Sequence, residues 1–123
     1  MIWHFENDRP IYTQLLEQIR LRIISGEYTA GARLPSVREL ASEASVNPNT
    51  MQKALSELEQ SGLIYSQRTS GRFVTEDRSM IEKVKETIAE EKIKEFIHTM
   101  EELGINPVET IKLMEKTAKE MTK

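Results

Sequence analysis

The stretch VNPNTMQKALSELEQSGLI, residues 46–64, begins with a dense group of polar side chains. The amide of an asparagine or glutamine can pair with both hydrogen-bonding groups of adenine in the major groove of DNA. A lysine there can reach guanine or a phosphate, and a threonine can contact the methyl group of thymine. The residues with this chemistry are Asn47, Asn49, Thr50, Gln52 and Lys53. They can read base edges only if one rigid element presents them together.

The apolar residues of the same stretch predict that element. Met51, Ala54, Leu55 and Leu58 recur at spacings of three and four, as in an amphipathic helix with these side chains inward. At about 100° per residue, Asn49, Gln52, Lys53 and Ser56 then fall on the outer face, with Thr50 at its flank. Pro48 begins this helix rather than breaking it, because the first helical residue has no intrahelical partner for an N–H.

A second, shorter helix is predicted directly before it, in PSVRELASEA, residues 35–44. Ser36 and Glu39 have the spacing of a capping box at its start. Asn47 is the expected N-cap of the following helix, so only residues 45–47 separate the two. Two short helices around so tight a turn predict a helix-turn-helix.

A small β-hairpin is predicted after Gly62, the residue expected to end the second helix of the pair. The β-prone runs LIYSQR and RFVT are joined by residues 69–71, and no acidic residue occurs between positions 62 and 75. Such a tip can lie along a DNA backbone or place an arginine in the minor groove. The candidate DNA-contacting residues of the tip are Arg68, Ser70, Gly71 and Arg72.

An earlier helix is predicted to begin at Pro10 and to stop near Gly26, with residues 27–34 as a loop or a short extended segment. Its apolar stripe consists of Tyr12, Leu15, Leu16, Ile19 and Ile23. The expected fold class is therefore mainly α with a small β-hairpin. A winged helix-turn-helix is expected over residues 1–76, followed by a C-terminal two-helix hairpin over residues 77–123.

The C-terminal part predicts a long helix closed by Gly104 and a last helix opened by residues 106–109. Both helices carry apolar seams that a two-helix hairpin cannot bury on itself. A two-fold partner is the expected cover, and a tail folded back onto its own domain is the alternative. The residues predicted at a dimer interface are Ile93, Phe96, Ile97, Met100, Ile111, Met114, Ala118 and Met121.

The composition limits which other classes of function are possible for this chain. The chain has 123 residues, no cysteine and a formal net charge of −3, so it lacks thiolate chemistry and a general electrostatic signal for nucleic acid. Because no signal peptide or membrane-spanning run is recognised, we expect a cytoplasmic protein with no membrane partner. No nucleophile–base set or phosphate-binding loop occurs, so we expect no enzyme and no cofactor. His98 and Glu102 have metal-ligand spacing, but they fit a surface pair better, and no metal is expected.

The segment LPSVRELASEASVNPNTMQKALSELEQSGLIYSQRTSGRFV, residues 34–74, resembles the winged helix-turn-helix domain of the GntR family of bacterial transcription regulators. The preceding residues, from position 9, resemble the first helix of that family. The resemblance implies that Arg38 contacts DNA, together with the start of the recognition helix and the glycine-containing wing tip. Many members of the family carry an arginine where Pro48 stands here, so this chain lacks one common contact.

The short tail resembles that of the YtrA subfamily, in which the tail serves dimerisation and the regulators often control transporter operons. The resemblance thus implies a transcription regulator, expected to be a repressor, that binds a palindromic double-stranded DNA operator as a homodimer. Two other functions stay open at this point. One is a winged helix used for protein interaction, and the other is a metabolite sensor that uses the helical tail; the sequence identifies no small-molecule effector.

Overall fold

The computed structural model describes residues 2–123, which form five α-helices and one two-stranded antiparallel hairpin. The predicted fold class is confirmed. The chain divides into two compact units, one ending at Val84 and the other comprising Lys85–Lys123. The elements in chain order are α1 Ile11–Ile24, α2 Val37–Ala44, α3 Pro48–Ser61, β1 Ile64–Gln67, β2 Gly71–Val74, α4 Arg78–Glu102 and α5 Pro107–Met121.

The core of the first unit lies where α1 and α2 pack against α3 and where α3 meets β1. Its members in α1 and α3 come from the predicted apolar stripes, because a helix with apolar residues every three or four positions buries one continuous face. The fully buried side chains of this core include Leu15, Ile19, Ile23, Leu40, Met51, Leu55, Leu58, Leu63, Ile64 and Val74. This packing fixes which face of α3 remains in contact with solvent.

The start of α1 differs by one residue from the prediction. Pro10 is the N-cap rather than the first helical residue, with φ −58° and ψ 137°, and the helix begins at Ile11. The carbonyl oxygen of Pro10 accepts a hydrogen bond from the N–H of Gln14 at 3.3 Å. The ring of proline sets φ but leaves ψ free, so proline also fits the extended N-cap position.

The predicted caps of α2 and α3 are confirmed. The Ser36 hydroxyl accepts from the N–H of Glu39 at 3.1 Å, and the Glu39 carboxylate accepts from the N–H of Ser36. Helix α2 ends at Ser45 in the left-handed conformation, with φ 57°. Asn47 caps α3, which has Pro48 as its first residue and Gly62, at φ 89°, as its C-cap. These local signals place the tight turn of the helix-turn-helix.

The hairpin is confirmed and has a third, short neighbour. Strands β1 and β2 pair in antiparallel register, with Tyr65 opposite Phe73 and Ser66 opposite Arg72. Arg33 forms an isolated antiparallel bridge with Phe73, so the end of the segment 27–34 is extended, which was one of its two predicted forms. This bridge brings a residue from before α2 to the side of the wing.

Helices α4 and α5 begin at well-formed caps. The Asp77 carboxylate accepts from the N–H of Met80 at 3.1 Å and from the Ser79 hydroxyl at 2.6 Å. The Asn106 side chain accepts from the N–H of Glu109 at 2.9 Å, which confirms the predicted opening of α5. Among residues 2–123, no helix is long and apolar enough to cross a membrane.

Candidate nucleic-acid interface

The outer face of α3 carries the polar residues that its periodicity predicts. Asn49, Gln52 and Lys53 are exposed, and Thr50 is half-buried at the flank. They occupy the first two turns, whose backbone N–H groups also carry the partial positive charge of a helix N-terminus. Helix α3 therefore presents four of the five predicted base-reading side chains together at its N-terminal end.

Asn47 is also at this end, but its amide is already partly used. Its Oδ1 accepts a hydrogen bond from the backbone N–H of Asn49 at 2.7 Å, which is the cap of α3. A bidentate pair with adenine needs both the oxygen and the nitrogen of an amide. While the cap is intact, Asn47 can therefore offer its NH₂ group and the second lone pair of Oδ1. No hydrogen bond within residues 2–123 occupies the side chain of Asn49, which keeps both groups available.

Lys53 rests against α1 in this structure. Its Nζ lies 4.5 Å from the centroid of the Tyr12 ring, and the Tyr12 hydroxyl donates a hydrogen bond to the Glu57 carboxylate. That hydrogen bond, followed by burial and the charge of Glu57, raises the pKa of Tyr12 above its ordinary value, so the hydroxyl remains a donor at neutral pH. A cation–π contact at an exposed site contributes about 0.5–1 kcal/mol. Because a base contact contributes about 1–3 kcal/mol, DNA can draw Lys53 off the ring.

Arg72 is less free than its position on the predicted wing tip suggests. Its Nε donates to Oε1 of Glu59 on α3 at 2.5 Å, and the Ser66 hydroxyl donates to the same oxygen. Its Nη1 donates to Oε1 of Gln52 at 3.4 Å. The guanidinium thus joins the wing to the recognition helix, and its Nη2 makes no hydrogen bond within residues 2–123.

The carboxylate of Glu59 stays charged around neutral pH. Burial alone would raise its pKa, but the hydrogen bonds from Ser66 and Arg72, together with the charge of Arg72, outweigh burial and lower the pKa below the ordinary 4.5. Because only the charged form is stabilised by both donors, the link between wing and helix is complete above that pH and weakens in acid.

Arg38 and Arg68 are the predicted arginines that remain exposed and without an ion-pair partner in the part of the chain that the structure describes. Arg38 lies in the first turn of α2, and Arg68 lies in the turn between β1 and β2. Ser70 is exposed in the same turn, and its N–H donates to the carbonyl of Gln67 at 3.1 Å. Both guanidiniums are available for phosphate or groove contacts.

Gly71 is needed for the shape of the wing tip. Its backbone φ is 107°, a value that residues other than glycine rarely adopt. A Cβ at this position would lie 3.2 Å from Nε of Arg33. The close approach places Arg33, an exposed cation, next to the wing tip.

Three residues at this site were not predicted from the sequence: Tyr12, Arg33 and Glu59. Tyr12 contacts Lys53, Arg33 approaches the wing tip and Glu59 binds Arg72. In each case the two partners are far apart in the sequence. Helical periodicity reports which face of a helix is buried, but it does not report which exposed side chains from other elements meet there. The only signals of these contacts in the sequence were the charge of Arg33 and the absence of acidic residues in the wing.

The predicted dimer-interface residues of α4 and α5 remain largely uncovered. Helix α5 buries only Thr110, while its seam remains exposed, with Ile111 57% and Met121 80% exposed. Within residues 2–123, α4 and α5 make little packing contact with each other. Ile93, Phe96, Met114 and Ala118 are exposed, and Ile97 and Met100 are half-buried.

The His98 and Glu102 pair lies on the solvent side of α4. Nε2 of His98 is 3.3 Å from Oε1 of Glu102, and both side chains are mostly exposed. No third histidine, cysteine, aspartate or glutamate joins them to make a metal-binding group among the described residues. The geometry is that of a surface pair.

Comparisons with known proteins agree with this architecture. The family model of the gntR family of bacterial regulatory proteins matches residues 11–74. The HTH-type transcriptional regulator YhcF of Bacillus subtilis is 36% identical over 107 residues, which cover 87% of this chain and 88% of that protein. The HTH-type transcriptional repressor YtrA of the same organism is 38% identical over 89 residues, covering 72% of this chain and 68% of YtrA.

Solved structures show the same similarity over most of the chain. A GntR family transcriptional regulator from Listeria monocytogenes superposes with a TM-score of 0.85 and 42% identity, covering 91% of this chain and 98% of that one. The DNA-binding domain of AraR in complex with operator ORX1 gives a TM-score of 0.53 and 28% identity, covering 61% of this chain and 93% of that one. This chain therefore belongs to the gntR family of bacterial regulatory proteins, which are transcription regulators and not enzymes.

Proposed function

We propose that this protein is a cytoplasmic repressor that binds a palindromic DNA operator as a homodimer. The observation that carries the proposal is the exposed N-terminal half of α3, which presents Asn49, Gln52 and Lys53 beside a wing with the free cation Arg68. The operator-bound AraR domain has a similar fold, and the relative YtrA is named a repressor, which supports both parts of the proposal. The resemblance to the YtrA subfamily makes a transporter operon the expected target.

The proposed roles divide by chemistry. Arg38, Lys53, Arg68 and Arg72 supply phosphate or groove contacts, and Arg72 does so through the N–H groups that Glu59 and Gln52 leave open. The amides and hydroxyl of the α3 N-terminus supply the base contacts. Ser70 and Gly71 bring the wing backbone close to the duplex.

The uncovered tail supports the homodimer. A surface that includes Phe96, Ile111 and Met114, each more than two-fifths exposed, is costly to leave in water. A two-fold partner covers the same surface on both copies. Two recognition helices in such a dimer read half-sites about one helical turn, ~34–36 Å, apart, which is why a palindromic operator is expected.

The test is binding of the full chain to palindromic DNA from its own promoter region, measured by fluorescence anisotropy over a salt series. Binding should weaken steeply as salt rises, because each phosphate contact releases counterions. Lys53→Ala and Arg68→Ala should each weaken binding by about tenfold or more and reduce the salt slope. Lys85→Ala, which removes an exposed cation from α4, is the matched control and should change neither quantity.

Two results would contradict the proposal. A footprint with no preference for palindromic over random DNA would remove the sequence-specific function. Equal affinities for Lys53→Ala, Arg68→Ala and Lys85→Ala would remove the proposed interface. If the protein failed to bind DNA while its tail bound a different protein, the protein-interaction function would replace this one.

A further inference from the structure

The two faces of the wing have different surroundings. Side chains alternate between the faces of a strand, and directly paired residues share a face. Ser66 and Arg72 pair with each other and both donate hydrogen bonds to Glu59 of α3, which makes theirs the inner face. Tyr65 and Phe73 pair at the next position, and their rings stack with centroids 5.7 Å apart. These two rings therefore belong to the outer face, which is turned away from the recognition helix.

Arg33 lies on this outer face. It is bridged to Phe73, and backbone hydrogen bonds of 2.8 and 2.9 Å flank the pair on its two sides. In this type of antiparallel pair the two side chains share a face and lie closest together. The segment before α2 thus acts as a short third strand of the wing and fixes the backbone of Arg33 beside Phe73.

The guanidinium of Arg33 extends from there to the wing tip. Gly71 is two positions before Phe73 in β2 and therefore faces the same way. A Cβ at Gly71 would lie 3.2 Å from Nε and 3.5 Å from Nη2 of Arg33, so the bare glycine backbone leaves room for this cation. Arg33 is exposed and makes no side-chain hydrogen bond or ion pair within residues 2–123. All of its side-chain N–H donors are available to a ligand.

The position of this cation suits a phosphate. Arg68 lies in the turn that leads the wing, whereas Arg33 lies on the flank, level with Gly71. A tip that approaches a groove has phosphate backbone along its flanks, and a guanidinium can bind two oxygens of one phosphate. Arg72 occupies the inner face, so it cannot serve a phosphate on the outer side.

We infer that Arg33 is a further DNA-binding residue, which contacts a backbone phosphate on the side of the wing away from α3. This inference rests on the proposed DNA-binding function. It adds a cation from the segment before α2 to an interface that otherwise consists of α2, α3 and the hairpin.

The experiment compares Arg33→Met with the wild-type protein by fluorescence anisotropy on the operator and on random DNA, over a salt series. Methionine keeps an apolar stem beside Phe73 and removes the charge. Each phosphate contact contributes about 0.9 to the slope of log K against log salt, so loss from both copies of a homodimer should lower the slope by about 1.8. The affinity should fall by the same factor, about tenfold or more, on both DNAs, because a phosphate carries no sequence information.

Two further variants separate a phosphate contact from support of the wing. Arg33→Lys keeps the charge, so it should keep the wild-type salt slope even where its affinity is lower. Arg78→Met removes an exposed arginine from the first turn of α4, outside the wing, and should change neither the slope nor the affinity. Ethylation of one phosphate in each half-site should block the wild-type protein and make no further difference to Arg33→Met.

The outcomes are distinguishable from a failure of the proposed function. If the wild-type protein does not bind palindromic DNA, the proposed function fails and this inference falls with it. If it binds but Arg33→Met keeps the wild-type slope and affinity, the inference alone is overturned. It is also overturned if the loss is confined to the operator, or if Arg33→Lys loses as much of the slope as Arg33→Met. Arg33→Gln takes the place of Arg33→Met if circular dichroism shows the latter to be unfolded.

Discussion

Replacement of Ile111 by alanine should weaken the proposed homodimer without disturbing the fold. Ile111 lies on the exposed seam of α5 and is 57% exposed. Full burial of such a side chain is favourable by about 1.5–3 kcal/mol relative to exposure, so covering this fraction contributes about 1–1.5 kcal/mol. A two-fold interface contains the contact twice, which makes the loss about 2–3 kcal/mol per dimer, or roughly 30- to 150-fold in Kd.

The assay is sedimentation equilibrium over a concentration series, with circular dichroism as the check on helix content. Alanine has a higher helix propensity than isoleucine, so a weaker dimer cannot be attributed to a weaker helix. Leu21→Ala is the matched control, because Leu21 is 47% exposed but lies on α1, outside the tail. Its Kd should equal that of the wild-type protein.

Two results would refute this reasoning. One is a dimer of Ile111→Ala as tight as the wild type, which would mean that α5 points its seam at solvent in the assembly. The other is a wild-type protein that remains monomeric at all concentrations, which would leave the apolar tail without its proposed partner.

Two smaller predictions concern the helix starts. Ser36→Ala removes the cap of α2 and should lower the free energy of unfolding, measured in urea, by about 1 kcal/mol. The control Ser42→Ala replaces an exposed serine of the same helix and should change this free energy little. Equal effects of the two substitutions would contradict the role of the cap. At Asp77, hydrogen bonds from the Ser79 hydroxyl and the Met80 N–H hold the pKa below its ordinary 3.8. Asp77 therefore stabilises the fold fully above that pH and loses its contribution as pH falls through the lower, folded pKa. Melting temperatures measured from about pH 2 to 6 should fall less in acid for Asp77→Asn than for the wild type, and parallel curves would contradict this.

Much of the fold follows from local signals in the sequence. Asn47, Pro48 and Gly62 define the ends of α3 because caps, N1 prolines and left-handed glycines act within one turn of the residue that carries them. The apolar periods of α1 and α3 likewise select the faces that are buried. Pro10 shows the limit of such signals, since proline is compatible with both the N-cap and the first helical position.

The site was predictable as a set of residues but not as a set of contacts. Periodicity alone places Gln52 and Lys53 on the outer face of α3. It does not reveal that Lys53 rests on Tyr12 or that Arg72 reaches across from the wing to Gln52. These partners are 41 and 20 residues apart in sequence, and only the packing of α1 and the hairpin against α3 brings them together.

The sequence by itself determined that a polar helix end stands beside a wing, because cap chemistry and apolar period act over a few residues. The tertiary structure decided how that helix end is presented. It turns the oxygen of Gln52 towards Arg72, places Lys53 over the ring of Tyr12, and leaves Arg38 and Arg68 as exposed cations within residues 2–123. Pro48, which begins the helix, thus fixes where the reading residues start, and long-range contacts fix how Gln52 and Lys53 are held on the outer face.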